Sequence, residues 1–459
     1  MKVITIIISL FCILHFISCS NVKAQQFPEC LPEAKDTVSF NVLGKKCGKK
    51  IIINDTIDLT NNACVIPHGM TLFFKGGCIK NGTLIGNFTK IKTSSCCFSR
   101  VRIKGSWFMP EISSDLFEDL SYENALKDVF ALSDPKIMNS IYIAPGKYQV
   151  TVYKSGESCL PIDDNADVTI DGDIYLTPNA FNSYNIVEVQ GENVKIHGMG
   201  SIVGDKEFHL GESGEWGMGI IVLKSDNVTV SGLTVKDCWG DCIYIGDNSK
   251  NILIADCVLD NGRRQGLSVT SGDNIIIRNC QIYNIKGTSP EYAIDLEPNN
   301  NETIGSVLIE GCIIRDCRGG LTTNGRAVGS HLGEVTLKFC DISGITFHAP
   351  LQFRATENVK IERCKISNEK IKFVFRFQDV KRAIVRNNVI TTKRFLLEPC
   401  SNIVMENNTI HCGGFYTESY GKETFKNIYI RDNRFKHRIP NMGVPDSSLS
   451  IIIGNNKIE

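Results

Sequence analysis

The stretch NILIADC, residues 251–257, returns as NIIIRNC at 274–280, SVLIEGC at 306–312, EVTLKFC at 334–340 and NVKIERC at 358–364. The series continues as RAIVRNN at 382–388, NIVMENN at 402–408, NIYIRDN at 427–433 and SIIIGNN at 450–456. Weaker copies begin at Asp167, Asn193 and Asn227. Each copy opens on a polar residue, runs through three mostly apolar or β-branched positions and two polar or small ones, and closes on Cys or Asn. Starts fall mostly 20–28 residues apart, with one step of 32 and one of 34. The alternation is that of a short strand, and no helical period runs through it. A unit this small cannot bury its own face, so successive units must stack. The arrangement expected is an all-β, right-handed parallel β-helix, with strands of neighbouring coils about 4.8 Å apart. A propeller blade needs about 40 residues, and leucine-rich repeats carry a different leucine pattern.

Working outward, the seventh position of the motif is Cys257, Cys280, Cys312, Cys340 and Cys364, then Asn388, Asn408, Asn433 and Asn456. Equivalent positions of stacked coils lie above one another, so an interior column of cysteines should hand over to a ladder of asparagine amides. This accounts for five of the 19 cysteines by packing rather than by disulfides. Cys47, Cys64, Cys78, Cys96 and Cys97 fall outside the column and are the candidates for a bridge. The 459 residues would suggest about three globular domains, a prior that repeats evade. With 42% apolar residues the chain can build a large core. Fifty basic residues balance fifty acidic ones, which argues against a general nucleic-acid binder.

Met1-Lys2 and the apolar run Val3 to Ile17 read as a signal peptide over residues 1–18. Phe16-Ile17-Ser18-Cys19 has the form of a lipobox, making Cys19 the lipidated first mature residue; Val22-Lys23-Ala24 is a competing secretory cleavage site. The expectation is an exported protein: an outer-membrane lipoprotein or cell-surface protein, alternatively periplasmic or secreted. The only membrane attachment expected is that lipid anchor. Residues 19–115 read as an N-terminal β-rich layer and 116–459 as the β-helix domain carrying the groove.

Ser121 to Leu132 has helical character and leads into IYIAPGKYQV at 141–150. This succession of short helix, strand, Pro-Gly turn and Tyr148 resembles the entry to the pectate-lyase-like β-helix superfamily over roughly residues 118–300. The resemblance implies a helix that caps one end of the solenoid. The segments GEWGMGI at 214–220, CWGDCIYIGD at 238–247, NGRRQGLSV at 261–269 and GTSPEYAIDLEP at 287–298 resemble exported bacterial β-helix proteins of polysaccharide breakdown. More distantly they resemble polygalacturonases, whose Asp-Asp-Cys and Gly-His-Gly strands become Gly240-Asp241-Cys242 and Arg264-Gln265-Gly266. One Asp and the His of that pattern are missing, so the resemblance implies a polysaccharide groove and not that reaction.

Strand alternation locates the groove independently. With Ile243, Ile245, Leu267, Val269, Ile294, Leu296, Leu321, Leu351, Phe353 and Phe375 inward, the outward set is Tyr244, Ser268, Thr270, Asp295, Glu297, Thr322, Asn324, Gln352, Arg354, Arg376 and Gln378. Gln265, Asn324, Gln352, Arg354 and Arg376 are expected to bind substrate, with Trp239 and Trp216 stacking on sugar faces. Arg263 and Arg264 present planar forks suited to carboxylate or sulfate, or alternatively pair with Asp241, Asp295 or Glu297 on an adjacent coil. Asp295 and Glu297, two apart on one strand, lie about 6.5–7 Å apart on one side. That spacing suits an acid–base pair of an inverting hydrolase, or a Ca²⁺ site. Asp241 on its turn, Tyr244 as a proton donor, and His209 or His348 as bases complete the candidates; each also has a plain structural reading.

The leading expectation is a carbohydrate-active enzyme that depolymerises an acidic, uronic-acid-containing polysaccharide by β-elimination. Arg263 and Arg264, with Ca²⁺ on Asp295 and Glu297, would steady the enolate charge. The alternatives are a glycoside hydrolase using Asp241, Asp295 and Glu297, or a surface protein that binds polysaccharide without cutting it.

Overall fold

The computed structural model describes residues 31–458 apart from 94, 374, 398–399, 413–414, 418–424 and 437–450. The signal segment, Cys19 and the alternative cleavage site lie outside these residues. Among the described residues no helix is long and apolar enough to cross a membrane.

From Asn139 onward the chain winds through three parallel sheets in turn. One coil runs Ser249–Ala255, Val258–Asp260, Leu267–Val269; the next runs Gly272–Arg278, Gln281–Tyr283, Tyr292–Leu296. The repeat motif is the first strand of each coil. Its register is unbroken across coils, Ile252 pairing with Ile275, then Val307, Val335 and Val359. The chain is thus an all-β parallel β-helix, as the period requires.

The polar residues of the motif have a conformational reason. Asn251, Asn274, Asn402 and Asn427 at the first position all have φ between 53° and 55°, and Asp256, Asn279, Asn387 and Asn407 at the sixth lie between 54° and 59°. Asn and Asp tolerate this left-handed region better than other side chains with a Cβ. The coils thus leave their first strand through a left-handed residue, and those that open on Asn251, Asn274, Asn402 and Asn427 also enter through one.

The seventh-position column is interior. Cys257, Cys280, Cys312, Cys340 and Cys364 are buried free thiols. Cys257 Sγ donates to Val230 O at 3.7 Å and Cys280 Sγ to Ile254 O at 3.6 Å, each acceptor being the fourth motif residue of the preceding coil. Asn388 Nδ2 donates to the equivalent Ile361 O at 2.9 Å and Asn408 Nδ2 to Val385 O at 2.9 Å. Thiol and amide thus address the same carbonyl. Cys47, Cys64, Cys78, Cys96 and Cys97, the bridge candidates, are free as well.

Residues 37–107 form an eight-stranded sheet that also stacks coil on coil, Ile57 pairing with Ile79 and Ile79 with Phe98. A helix spans Ala125–Phe130, shorter than Ser121 to Leu132. It lies between the strand Phe98–Trp107 and the first-coil strands Lys147–Val150 and Glu157–Ile162. Its Asp128 accepts from Ile103 N at 2.8 Å and Tyr122 Oη at 3.0 Å, joining the two regions. One continuous apolar core runs from Leu43 to Phe435.

Candidate active site

The third sheet has nine strands, from Glu157–Ile162 to Phe375–Gln378. All ten residues expected to face inward are buried. Their outward neighbours stack in register: Tyr244 pairs with Ser268, then Asp295, Thr322, Gln352 and Arg376. Ser268, Asp295, Thr322 and Gln352 are themselves nearly covered, so the column is the floor of a recess rather than an open face. An open cavity of ≈ 120 Å³ is lined by Trp216, Tyr244, Arg264, Ser268, Val269, Thr270, Asp295, Glu297 and Asn299.

Asp295 lines this cavity. Its Oδ2 accepts from Gln265 Nε2 at 2.7 Å, while Oδ1 is buried without a hydrogen-bond partner. Burial pushes its carboxyl well above the ordinary carboxylate range; the Glu297 and Asp241 carboxylates push the same way, against the pull of Arg264 and Arg354. Glu297 Oε1 accepts from Asn324 Nδ2 at 2.7 Å. Tyr244 Oη shares a hydrogen bond of 2.7 Å with Thr270 Oγ1, and burial raises its hydroxyl.

Asp241 is completely buried beside the cavity. Its Oδ2 accepts a short hydrogen bond from Ser268 Oγ and lies 3.3 Å from Arg264 Nη1. Burial pushes this carboxyl up too, against the lowering by Arg264 and Ser268. Arg264 Nε lies 3.3 Å from Glu215 Oε2, so its guanidinium sits between two acids while lining the cavity. Glu215 was not singled out by the sequence pattern, because it sits on the turn before a strand, where alternation has no purchase.

Several expected ligands of the substrate are placed elsewhere. Gln265 is fully buried; its Oε1 accepts from Tyr292 N at 2.8 Å, so it reaches a substrate only through Asp295. Arg263 turns away from the cavity, donating to Gly214 O at 2.7 Å and lying 3.8 Å over the Trp239 ring. The other face of Trp239 stacks on His209 at 3.9 Å, so neither face is open to a sugar. His209 Nδ1 in turn pairs with Asp205 at 2.8 Å, which also accepts from Tyr184 and Asn179. This half-buried stack ties together loops of three coils. Trp216, 54% exposed at the cavity rim, is the tryptophan available for stacking.

Two coils along the column, Gln352, Arg354 and Arg376 form a second group. With its amide oxygen turned toward Arg354, Gln352 accepts from that guanidinium at 2.9–3.2 Å. His348 stacks on Tyr292 at 4.9 Å, away from Asp295's cavity, and burial pushes its imidazole below the usual value. For calcium the donors fit poorly. Ca²⁺ needs six or more oxygens, many of them ionised carboxylates. Here only two carboxyls line the cavity, and the Arg264 cation shares it. Among the described residues no three His, Cys, Asp or Glu side chains converge as a metal site.

Fold and site together define a stacked-coil protein with an acid-lined recess on one sheet. Residues 140–304 and 292–458 match the model of the right handed beta helix region, and the chain belongs to that family. The SPβ prophage-derived protein YorA of Bacillus subtilis (strain 168) is 27% identical over 236 residues, 46% of this chain and 39% of YorA. The chain thus matches well under half of that relative's length. Among solved structures, the catalytic domain of Agl-KA is 14% identical with a TM-score of 0.44, covering 73% of this chain and 65% of that one. The tailspike protein gp49 of Acinetobacter baumannii bacteriophage Fri1, a capsular polysaccharide depolymerase, is 13% identical with a TM-score of 0.36, covering 68% and 56%.

Proposed function

We propose that the chain is a carbohydrate-active enzyme that hydrolyses glycosidic bonds, with Asp295 as general acid and Glu297 as the base that activates water. The observation that carries this reading is the Asp295 carboxyl: buried, pushed well up, and one oxygen without a partner at a cavity it shares with a second carboxylate. Glycoside hydrolysis asks for that asymmetry, one acid holding a proton near neutrality beside one that accepts it. Glu297 follows the strand that carries Asp295, and at the extended-chain repeat their Cα atoms stand about 6.5–7 Å apart; a like separation of the carboxyls leaves room for a water between them and favours inversion. Gln265 and Asn324 orient the two carboxyls, Tyr244 and Trp216 border the sugar site, and Arg264 offsets part of the clustered negative charge.

β-Elimination draws less support from these contacts. It requires a guanidinium free to neutralise a uronate, yet Arg264 is held by Asp241 and Glu215, and Arg263 by Gly214 and Trp239. Incubation with neutral and acidic polysaccharides, followed for reducing ends and for ultraviolet-absorbing unsaturated sugars, tests the reading. Hydrolysis releases reducing ends without unsaturation, and Asp295→Asn removes them. Unsaturated products would establish elimination instead. Tight binding with no product from any polymer would leave a binding protein.

A further inference from the structure

The sign of charge changes along the groove. Two acids, Asp295 and Glu297, line the cavity with one guanidinium, that of Arg264, which is itself paired with Asp241 and Glu215. Following the same column, Asp295 pairs with Thr322, Thr322 with Gln352, and Gln352 with Arg376, while Arg354 pairs with Gln378 beside it. The next two rungs are therefore neutral, and cations follow. These cations belong to a built cluster rather than a loose surface. Gln352 is buried and faces Arg354; Tyr292, also buried, stacks on His348, whose Nε2 is buried without a partner. Burial pushes the Tyr292 hydroxyl up to about 12, with Arg354 and Arg376 both acting the other way, so the two guanidiniums share its surroundings.

Three rungs at the parallel-strand spacing separate Asp295 from Arg376 by on the order of 14 Å, roughly three sugar rings of an extended chain. An anion at the cavity would meet the Glu297 carboxylate beside an Arg264 already paired with two acids, whereas an anion three rings away would meet planar forks that match carboxylate or sulfate. We infer that the groove takes a glycan of mixed charge, with a neutral sugar at the acid-lined cavity and a carboxylate- or sulfate-bearing sugar held at Arg354 and Arg376. This rests on the groove being a glycan site and deepens the proposed function. It narrows the acidic, uronic-acid-containing polymer expected from sequence, because a polymer charged at every sugar would also place a charge beside Asp295 and Glu297.

The test is binding by calorimetry to hyaluronan, in which charged and neutral sugars alternate, to polygalacturonate, in which every sugar is charged, and to carboxyl-reduced hyaluronan, in which none is. Hyaluronan should bind tightest, and its affinity should fall as salt rises. Arg354→Gln and Arg376→Gln should each weaken hyaluronan by about tenfold or more and flatten the salt dependence, leaving the carboxyl-reduced polymer unaffected. Thermal melting checks that the variants fold, and the salt dependence of the unaltered protein is a second readout that needs no variant. Polygalacturonate or the reduced polymer binding as tightly as hyaluronan, no binding to any of the three, or folded Arg variants that bind normally would each overturn the inference. Reducing ends, measured in the same samples, report separately on hydrolysis. Selective binding without reducing ends keeps the anionic subsite and refutes the hydrolase.

Discussion

Truncating Asn408 to alanine should cost far more stability than the same change at a cysteine rung of the same column. Asn408 Oδ1 accepts from the backbone N–H of Asn388 at 2.9 Å and from Asn388 Nδ2 at 3.0 Å, and Asn408 Nδ2 donates to Val385 O at 2.9 Å and Asn433 Oδ1 at 2.9 Å. Removing the amide strands two buried donors of Asn388, at about 1–3 kcal/mol each, so Asn408→Ala should lose about 2–6 kcal/mol. Cys312 Sγ, by contrast, makes long contacts of 3.6 Å to Ile277 O and 3.5 Å to Glu310 O. Its loss resembles deletion of one buried methylene, about 0.5–1.5 kcal/mol.

A stacked-repeat chain need not unfold in one step, so a single melting curve is a weak judge. Amide hydrogen exchange around Asn388 is the better assay, because it reports local opening. The loss worked out above corresponds to roughly a thirtyfold to ten-thousandfold drop in protection there, each 1.4 kcal/mol being about tenfold. Cys312→Ala should change protection around Cys280 by no more than about tenfold. If Asn408→Ala costs under about 1 kcal/mol, or no more than Cys312→Ala, the amide ladder is not what ties these coils together.

Three further outcomes follow from the site. Because Asp295 has a raised folded-state pKa, the folded chain holds its proton more tightly than the unfolded one, and stability falls as pH rises above the unfolded carboxyl value of about 4. Asp295→Asn should remove that slope, giving a melting temperature at pH about 8 at or above the parent's, with the gap closing toward pH about 4; a lower melting temperature at the alkaline end would contradict the buried-acid reading. Arg264→Met should leave Asp241 buried without its cation and cost about 3–5 kcal/mol at neutral pH, while adding Asp241→Asn should recover most of it, as thermal melts of the two variants and their combination would show. Trp239→Ala should cost about 3–5 kcal/mol by opening the stack between Arg263 and His209, whereas Trp216→Ala should change melting little and weaken glycan binding; equal effects would mean the two tryptophans have been assigned the wrong roles.

What could be read from the sequence follows the period. The motif fixes inward positions, the cysteine and asparagine column, and the outward set that became the cavity floor, because strand alternation and coil stacking act on every copy alike. Alternation puts Asp295, Glu297 and Tyr244 on the outward side, and all three line the cavity. The turns obey no period, and there the reading failed: Arg263, Trp239 and His209 meet through loops that start in different coils, so their shared stack left no spacing to detect. Lys206, which donates to Asn261 O, Asn261 Oδ1 and Lys286 O, pins one of these loops across 80 residues of sequence in the same silent way.

The division has a chemical consequence. In a stacked-coil fold, the nearest neighbour of an outward side chain is the residue at the same position one coil away, about 4.8 Å off. A carboxyl's electrostatics then depend on its burial, on a charged side chain two residues along the chain and on which rungs carry charge. Asp295 illustrates these terms: the rungs beside it, Ser268 and Thr322, carry no charge, and the covered floor keeps water from stabilising its anion. Gln265 then fixes one of its oxygens and leaves the other for a ligand. An acid of this kind follows from burying a carboxyl between uncharged rungs beside a second acid.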